Sequence, residues 1–159
     1  MARTAKLYHR VTPADPIYNS RQVAKLINRV MQDGKKALAQ RQVYEAFELI
    51  KQRTQQDPVI TFEQAVGQIT PQMEVRSRRV GGAAYQVPMP VRGQRGLSLA
   101  VRWLVTEAKK RPSQDHHTFA EKLAAEIVDA AGGQGGAVGK KLTFHKMAEA
   151  NKAFAHFRW

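Results

Sequence analysis

Residues 72–91 constrain the fold more than any other stretch of this 159-residue chain. Helical periodicity runs up to Pro71 and resumes after Val91; between them it is lost. The segments QMEVRSRRV and AAYQVPMPV flank Gly81-Gly82. A glycine pair accepts the left-handed backbone of a tight two-residue turn, so the pattern predicts a β-hairpin. Met73 and Val75 share one face of a strand, as do Tyr85, Val87, Met89 and Val91. Pro88 and Pro90 exclude a central strand, because neither can donate to a ladder. Two residues apart, their missing N–H groups point toward one edge, and a two-stranded ribbon leaves such an edge free. A ribbon of this kind is marginal alone and must lean on the rest of the chain or on a ligand.

The remaining sequence reads as helix. Pro13 and Pro16 exclude a helix over residues 1–19, which we read as an extended basic arm. Residues 20–159 form the helical domain. Ser20 is placed to cap a first helix with the apolar face Val23, Ile27, Val30 and Met31, stopped at Asp33-Gly34. A second helix is predicted from about Lys35 to Arg53, on Val43, Ala46, Phe47 and Ile50. A third starts near Thr61, where Thr61 and Gln64 have capping-box spacing, and ends at Pro71. The fourth spans about Gly96 to Arg111, with Leu97, Ala100, Val101, Leu104 and Ala108 inward. The fifth runs from near Asp115 to Gly132, with Phe119, Leu123 and Ile127 aligned and Glu121, Glu126 and Asp129 facing water. GGQGG reads as a flexible connector to a last helix from about Val138 to Phe154. The expected fold is mainly α: one domain of six helices with an inserted, protruding two-stranded hairpin.

Charge is distributed unevenly over this framework. Lys and Arg number 26 against 13 acids, a formal net charge of +13. Residues 1–36 hold eight cations against two acids, and residues 76–111 hold nine against the lone Glu107. The intervening 37–75 is acidic, three against five, and 112–159 is nearly balanced, six against five. Charge serving solubility alone would be scattered. Concentration in two segments marks the footprint of a polyanion, and nucleic acid is the usual one. A hydrophobic content of 43% supplies a core, which a disordered basic tail lacks.

Other classes fail on chemistry. Without cysteine there are no disulfides, thiolate nucleophiles or Cys-based zinc sites. No apolar run approaches the roughly 18 residues of a membrane span, and MARTAKLYHR has no secretory hydrophobic region. A membrane-surface helix would expose a broad apolar face, whereas these stripes have partners in five other helices. GGQGGAVGKK fails as a phosphate loop, because Gln134 stands where the first glycine belongs and Lys141 where Ser or Thr should hold magnesium. No HExxH pair, acidic two-metal cluster or Gly-x-Ser-x-Gly elbow occurs. No catalytic, cofactor or metal residue is assigned.

The motifs SRRVGGAAYQVP (77–88) and HKMAEANKAFAHFRW (145–159), with DGKK (33–36), LAVRWLV (99–105) and EIVDAA (126–131), carry a family resemblance. The chain resembles small-subunit ribosomal protein seven of the bacterial and organellar type over essentially its whole length. That resemblance implies a six-helix fold with a β-ribbon, and a ribosomal location in a bacterial cytoplasm or an organelle. It implies primary binding of the 3′ major domain of small-subunit rRNA, nucleating head assembly. It further implies proximity to exit-site tRNA and mRNA, and to small-subunit proteins nine and eleven. The rRNA-binding candidates are Arg3, Lys6 and Arg10 of the arm, Arg21, Lys25, Arg29, Lys35 and Lys36 around the first helix, and Arg76, Arg78 and Arg79 of the ribbon. Arg92, Arg95, Arg102, Lys109, Lys110 and Arg111 follow from the second basic segment. Gly81, Gly82, Ala83, Tyr85, His145, Lys146 and Lys152 are the candidates facing tRNA or mRNA. Tyr85 and Trp103 are expected either to stack on unpaired bases or to pack internally.

Overall fold

The structure, a computed structural model, describes residues 12–158. Six α-helices surround one apolar core, with a hairpin inserted between the third and fourth and a 3-10 helix after the sixth. In chain order these are α1 (Arg21–Val30), α2 (Lys36–Thr54), α3 (Pro58–Ile69), β1 (Met73–Val80), β2 (Ala83–Pro90), α4 (Gly93–Lys110), α5 (Phe119–Ala131) and α6 (Gly136–Ala150). The 3-10 helix spans Lys152–Phe157. The arginines and lysine of the predicted arm, Arg3, Lys6 and Arg10, lie outside the described residues.

The core follows the helical stripes. Leu26 and Ile27 of α1, Phe47 and Ile50 of α2, Phe62 and Ile69 of α3, Leu104 of α4, and Leu123 and Ile127 of α5 are fully buried. Before α1, Asp15 closes a turn. Its carboxylate accepts the N–H groups of Ile17 and Tyr18, both at 3.1 Å, and the Tyr44 hydroxyl at 2.7 Å. Burial, then the bond to Asp15, pushes the Tyr44 phenol up to about 12.

Several helix boundaries differ from the sequence expectation. α3 starts a turn earlier than Thr61: Pro58 occupies its first position and the Asp57 side chain caps it, accepting from Val59 N–H at 2.9 Å. Proline loses nothing there, since that amide has no helical partner. Thr61 instead turns its hydroxyl to the Asp57 carbonyl inside the first turn. α5 starts at Phe119, where Thr118 and Glu121 form a capping box that Asp115 cannot form. α4 begins at Gly93, and the last helix gives way to the 3-10 turn after Ala150.

The hairpin agrees with the sequence in detail. Gly81 and Gly82 both have positive φ, 56° and 88°, and Val80 pairs with Ala83 across them. A two-residue turn makes this closing pair hydrogen-bonded, so the ladder bonds fall on even-numbered β1 residues. The bond from Val91 N–H to the Gln72 carbonyl continues that phase. Pro88 and Pro90, opposite Val75 and Met73, therefore occupy positions whose missing N–H faces outward. The register also sets the two predicted apolar groups on opposite faces: Met73 and Val75 on one, Tyr85, Val87 and Met89 on the other.

One expectation about a buried group is corrected. Glu126 does not face water; it is 1% exposed. The GGQGG segment makes a turn and a bend with positive φ at Gly133 and Gly135. A Cβ on Gly135 would lie 3.1 Å from Glu126 Oε1, and one on Gly136 would lie 3.1 Å from Glu107 Oε2. Glycine thus lets the start of α6 settle onto two carboxylates. Glu126 accepts the Ala137 N–H at 2.9 Å, and Glu107 pairs with Lys140 at 3.0 Å.

Candidate nucleic-acid interface

Arg21, Lys25 and Arg29 recur every four residues and form one stripe along α1. On α4, Arg95, Ser98 and Arg102 stand three and four residues apart and share a face by the same geometry. α1 packs beside α4, and the Lys25 ammonium donates to Gln94 Oε1 at 2.9 Å. Lys25, Asn28 and Arg29 then line a shallow groove with Leu97, Ser98, Val101 and Arg102. Two basic segments far apart in the chain are thereby brought to one cationic groove with an apolar floor.

The hairpin base extends this band. Glu74 on β1 is buried, and its carboxylate holds Arg76 at 2.5 Å and Arg95 at 3.1 Å. Both arginines keep about half their surface exposed, 51% and 48% of the side chain. Burial alone would raise the Glu74 carboxyl, but the bonds from Arg76 and Arg95 outweigh it and hold it below its ordinary value. The acid orients two cations while leaving their outer faces to solvent. Sequence reasoning missed Glu74. The available signal was its spacing two residues from Arg76 on a strand, which places both on one face.

The candidates do not all meet. Strand alternation puts Arg79 on the opposite ribbon face from Arg76 and Arg78. Lys35 and Lys109 border a second groove, between the α1–α2 turn and the start of α5. Lys36 and Arg92 are exposed, and Lys110 pairs with Glu107 at 3.1 Å. Burial would raise Glu107, yet Lys140 and Lys110 together lower it. Arg111 turns inward. Its guanidinium donates to Glu126 at 2.7 Å and to Asp129, and only 19% of the side chain is exposed. Burial pulls Arg111 down, but the bonds to Asp129 and Glu126 exceed that and hold it up. Its charge is spent within the fold.

The residues expected near tRNA and mRNA are divided likewise. Gly81, Gly82 and Ala83 are exposed at the ribbon tip. Tyr85 packs between Phe154 and Phe157 of the 3-10 helix, with ring centroids at 5.2 and 5.3 Å. His145 accepts the Gln72 N–H at 3.1 Å and fastens the hairpin base to α6. Lys146 and Lys152 are exposed. Trp103 belongs to the core: it is 4% exposed and its ring lies 4.7 Å from Phe144. It has no face left for a base.

Among the described residues no group of three or more His, Asp or Glu is arranged to hold a metal, and no helix is long and apolar enough to cross a membrane. Comparison with known proteins gives a consistent result. The family model described as ribosomal protein S7p/S5e matches residues 2–152. "Small ribosomal subunit protein uS7" of Thermoanaerobacter sp. (strain X514) and that of Moorella thermoacetica are each 55% identical over 159 residues. The protein of the same name from Dictyoglomus thermophilum is 53% identical over the same length. In all three cases the alignment covers 100% of both chains. Matched across its helices, ribbon and basic groove alike, the chain belongs to the ribosomal protein S7p/S5e family.

Proposed function

We propose that this chain is a non-catalytic, rRNA-binding component of the small ribosomal subunit. The observation that carries the reading is the α1–α4 groove, where Lys25, Arg29 and Arg102 converge and the hairpin-base arginines prolong the band. A-form RNA hides its base edges in a deep, narrow groove. A protein facing it reads backbone, shape and unpaired bases, and planar arginine forks suit that work. The family resemblance supports the finer reading. The rRNA target is the 3′ major domain, the role is to nucleate head assembly, and the ribbon tip and α6 lie beside exit-site tRNA and mRNA. Small-subunit proteins nine and eleven are the neighbours, and the location is the ribosome.

The test is equilibrium binding to isolated 3′ major domain RNA across a salt series, with duplex DNA as competitor. We expect a log–log slope equivalent to on the order of 6–10 phosphate contacts, and weak competition by DNA. A nearly flat salt dependence, or equal affinity for duplex DNA, sinks the reading. Alanine at Lys25, Arg29 and Arg102 together should reduce that slope by about two to three contacts.

A further inference from the structure

A second concavity lies apart from the α1–α4 groove. It is bounded by the turn after α1, the first turns of α2, the end of α4 and the start of α5, and it is an open hollow of about 390 Å³. That volume falls within the roughly 300–1,000 Å³ of small-ligand sites. Its wall is apolar on one side: Leu38, 56% exposed, and the half-buried ring of Phe119. Two primary amides, Gln32 and Gln42, line the same space together with Lys35 and Lys109. Asp33 is the one acid there. α2 begins beside this space with no side-chain cap, and although its first N–H is held by the Gly34 carbonyl at 2.8 Å, its positive dipole end adds to the two lysines.

We propose that this pocket takes an unpaired, flipped-out nucleotide of the small-subunit rRNA. The proposal rests on the rRNA-binding reading and adds base recognition to it at a different place on the surface. Each part of the pocket has a counterpart in a nucleotide. A base needs a flat apolar or aromatic wall, which Phe119 and Leu38 supply. Its polar edge needs paired donors and acceptors, which a Gln amide presents together. Its phosphates need cations, which Lys35 and Lys109 supply. An aliphatic protein segment would use the wall but would leave both amides and both lysines unmatched. Charge complementarity therefore favours RNA over a neighbouring protein.

The experiment is nucleotide-resolution chemical probing of isolated 3′ major domain RNA with the full-length protein and with Leu38→Asp and Gln42→Ala. Both positions are peripheral to the core, and circular dichroism is to be recorded for each variant so that only folded protein is compared. Phe119→Ala, which removes part of the packing, is compared only at a temperature where it too is folded. We expect one unpaired nucleotide protected by the wild type to become reactive with each variant, while the rest of the footprint persists. Affinity should drop roughly 5- to 150-fold for Phe119→Ala, the range found when an aromatic partner of a single base is removed. A photo-crosslinker at position 38 should attach to that same nucleotide. A wild-type footprint unchanged by Leu38→Asp and Gln42→Ala overturns this proposal alone. So does a crosslink that reaches only a neighbouring protein in assembled subunits. A wild-type protein that protects no rRNA overturns the ribosomal reading and this proposal with it.

Discussion

Arg111→Ala separates a structural charge from a ligand-binding one. Glu126 is 1% exposed and is held by the Arg111 guanidinium at 2.7 Å and the Ala137 amide at 2.9 Å. Removing the arginine leaves a carboxylate buried with one neutral donor. Breaking such a pair costs about 3–5 kcal/mol, because the remaining charge stays desolvated. With 19% of its side chain exposed, Arg111 leaves a path for water, so the lower end, about 3 kcal/mol, is expected. For a chain of this size that lowers the melting temperature by about 6–12 °C. Differential scanning calorimetry reads the midpoint, and rRNA affinity is measured at a temperature where the variant is folded. Adding Glu126→Gln keeps an acceptor for the Ala137 amide and removes the stranded charge. The double variant should then be more stable than the sum of the single losses implies, by about 0.5–3 kcal/mol. An unchanged midpoint combined with weakened rRNA binding would refute the reasoning and return Arg111 to the interface.

Glu74→Gln tests the clamp that aims Arg76 and Arg95. Glu74 has its carboxyl lowered in the folded state from 4.5, so its contribution is complete above pH 4.5 and lost as pH falls through the lower folded value. The stability gap between wild type and Glu74→Gln, measured by urea denaturation, should be constant above that pH and narrow below it; a gap independent of pH contradicts the clamp. Gly135→Ala should destabilise by about 1–3 kcal/mol for the backbone alone, because φ 91° with ψ 171° is a conformation essentially only glycine adopts, and further because the new methyl crowds the Glu126 carboxylate. Urea midpoints equal to wild type would show that the α5–α6 turn relaxes freely. Burial and the bond to Asp15 push the folded Tyr44 phenol up from 10.0 to about 12, so the unfolded chain should ionise first and stability should decline as pH rises between those values. Tyr44→Phe should remove that part of the alkaline slope, and an unchanged slope would assign it elsewhere.

The ribbon was legible in the sequence because everything that specifies it is local. Gly81-Gly82 sets the turn, the turn sets the hydrogen-bond phase, and that phase puts Pro88 and Pro90 on the outer edge. The helix count was legible for the same reason, since apolar spacing is a property of neighbouring residues. Helix starts at Asp57 and Thr118 were less so, because several residues in each stretch could cap and the packed helix selects one. The concentration of cations in residues 1–36 and 76–111 was likewise on the page.

Which of those cations remain available for a ligand was decided only by the tertiary structure. Lys25 meets Gln94 across 69 residues, and Arg111 meets Asp129 across 18. In sequence, Arg111 and Arg102 are equivalent members of one basic run; folded, one is bound by two acids and the other lines a groove. Trp103 sits on an amphipathic helix whose spacing fits either core or surface, and contact with Phe144 settles its side. Periodicity reports which face of an element is apolar. It carries no signal for which distant element covers that face, nor for which charges the covering consumes, because those depend on packing between helices rather than on order along them.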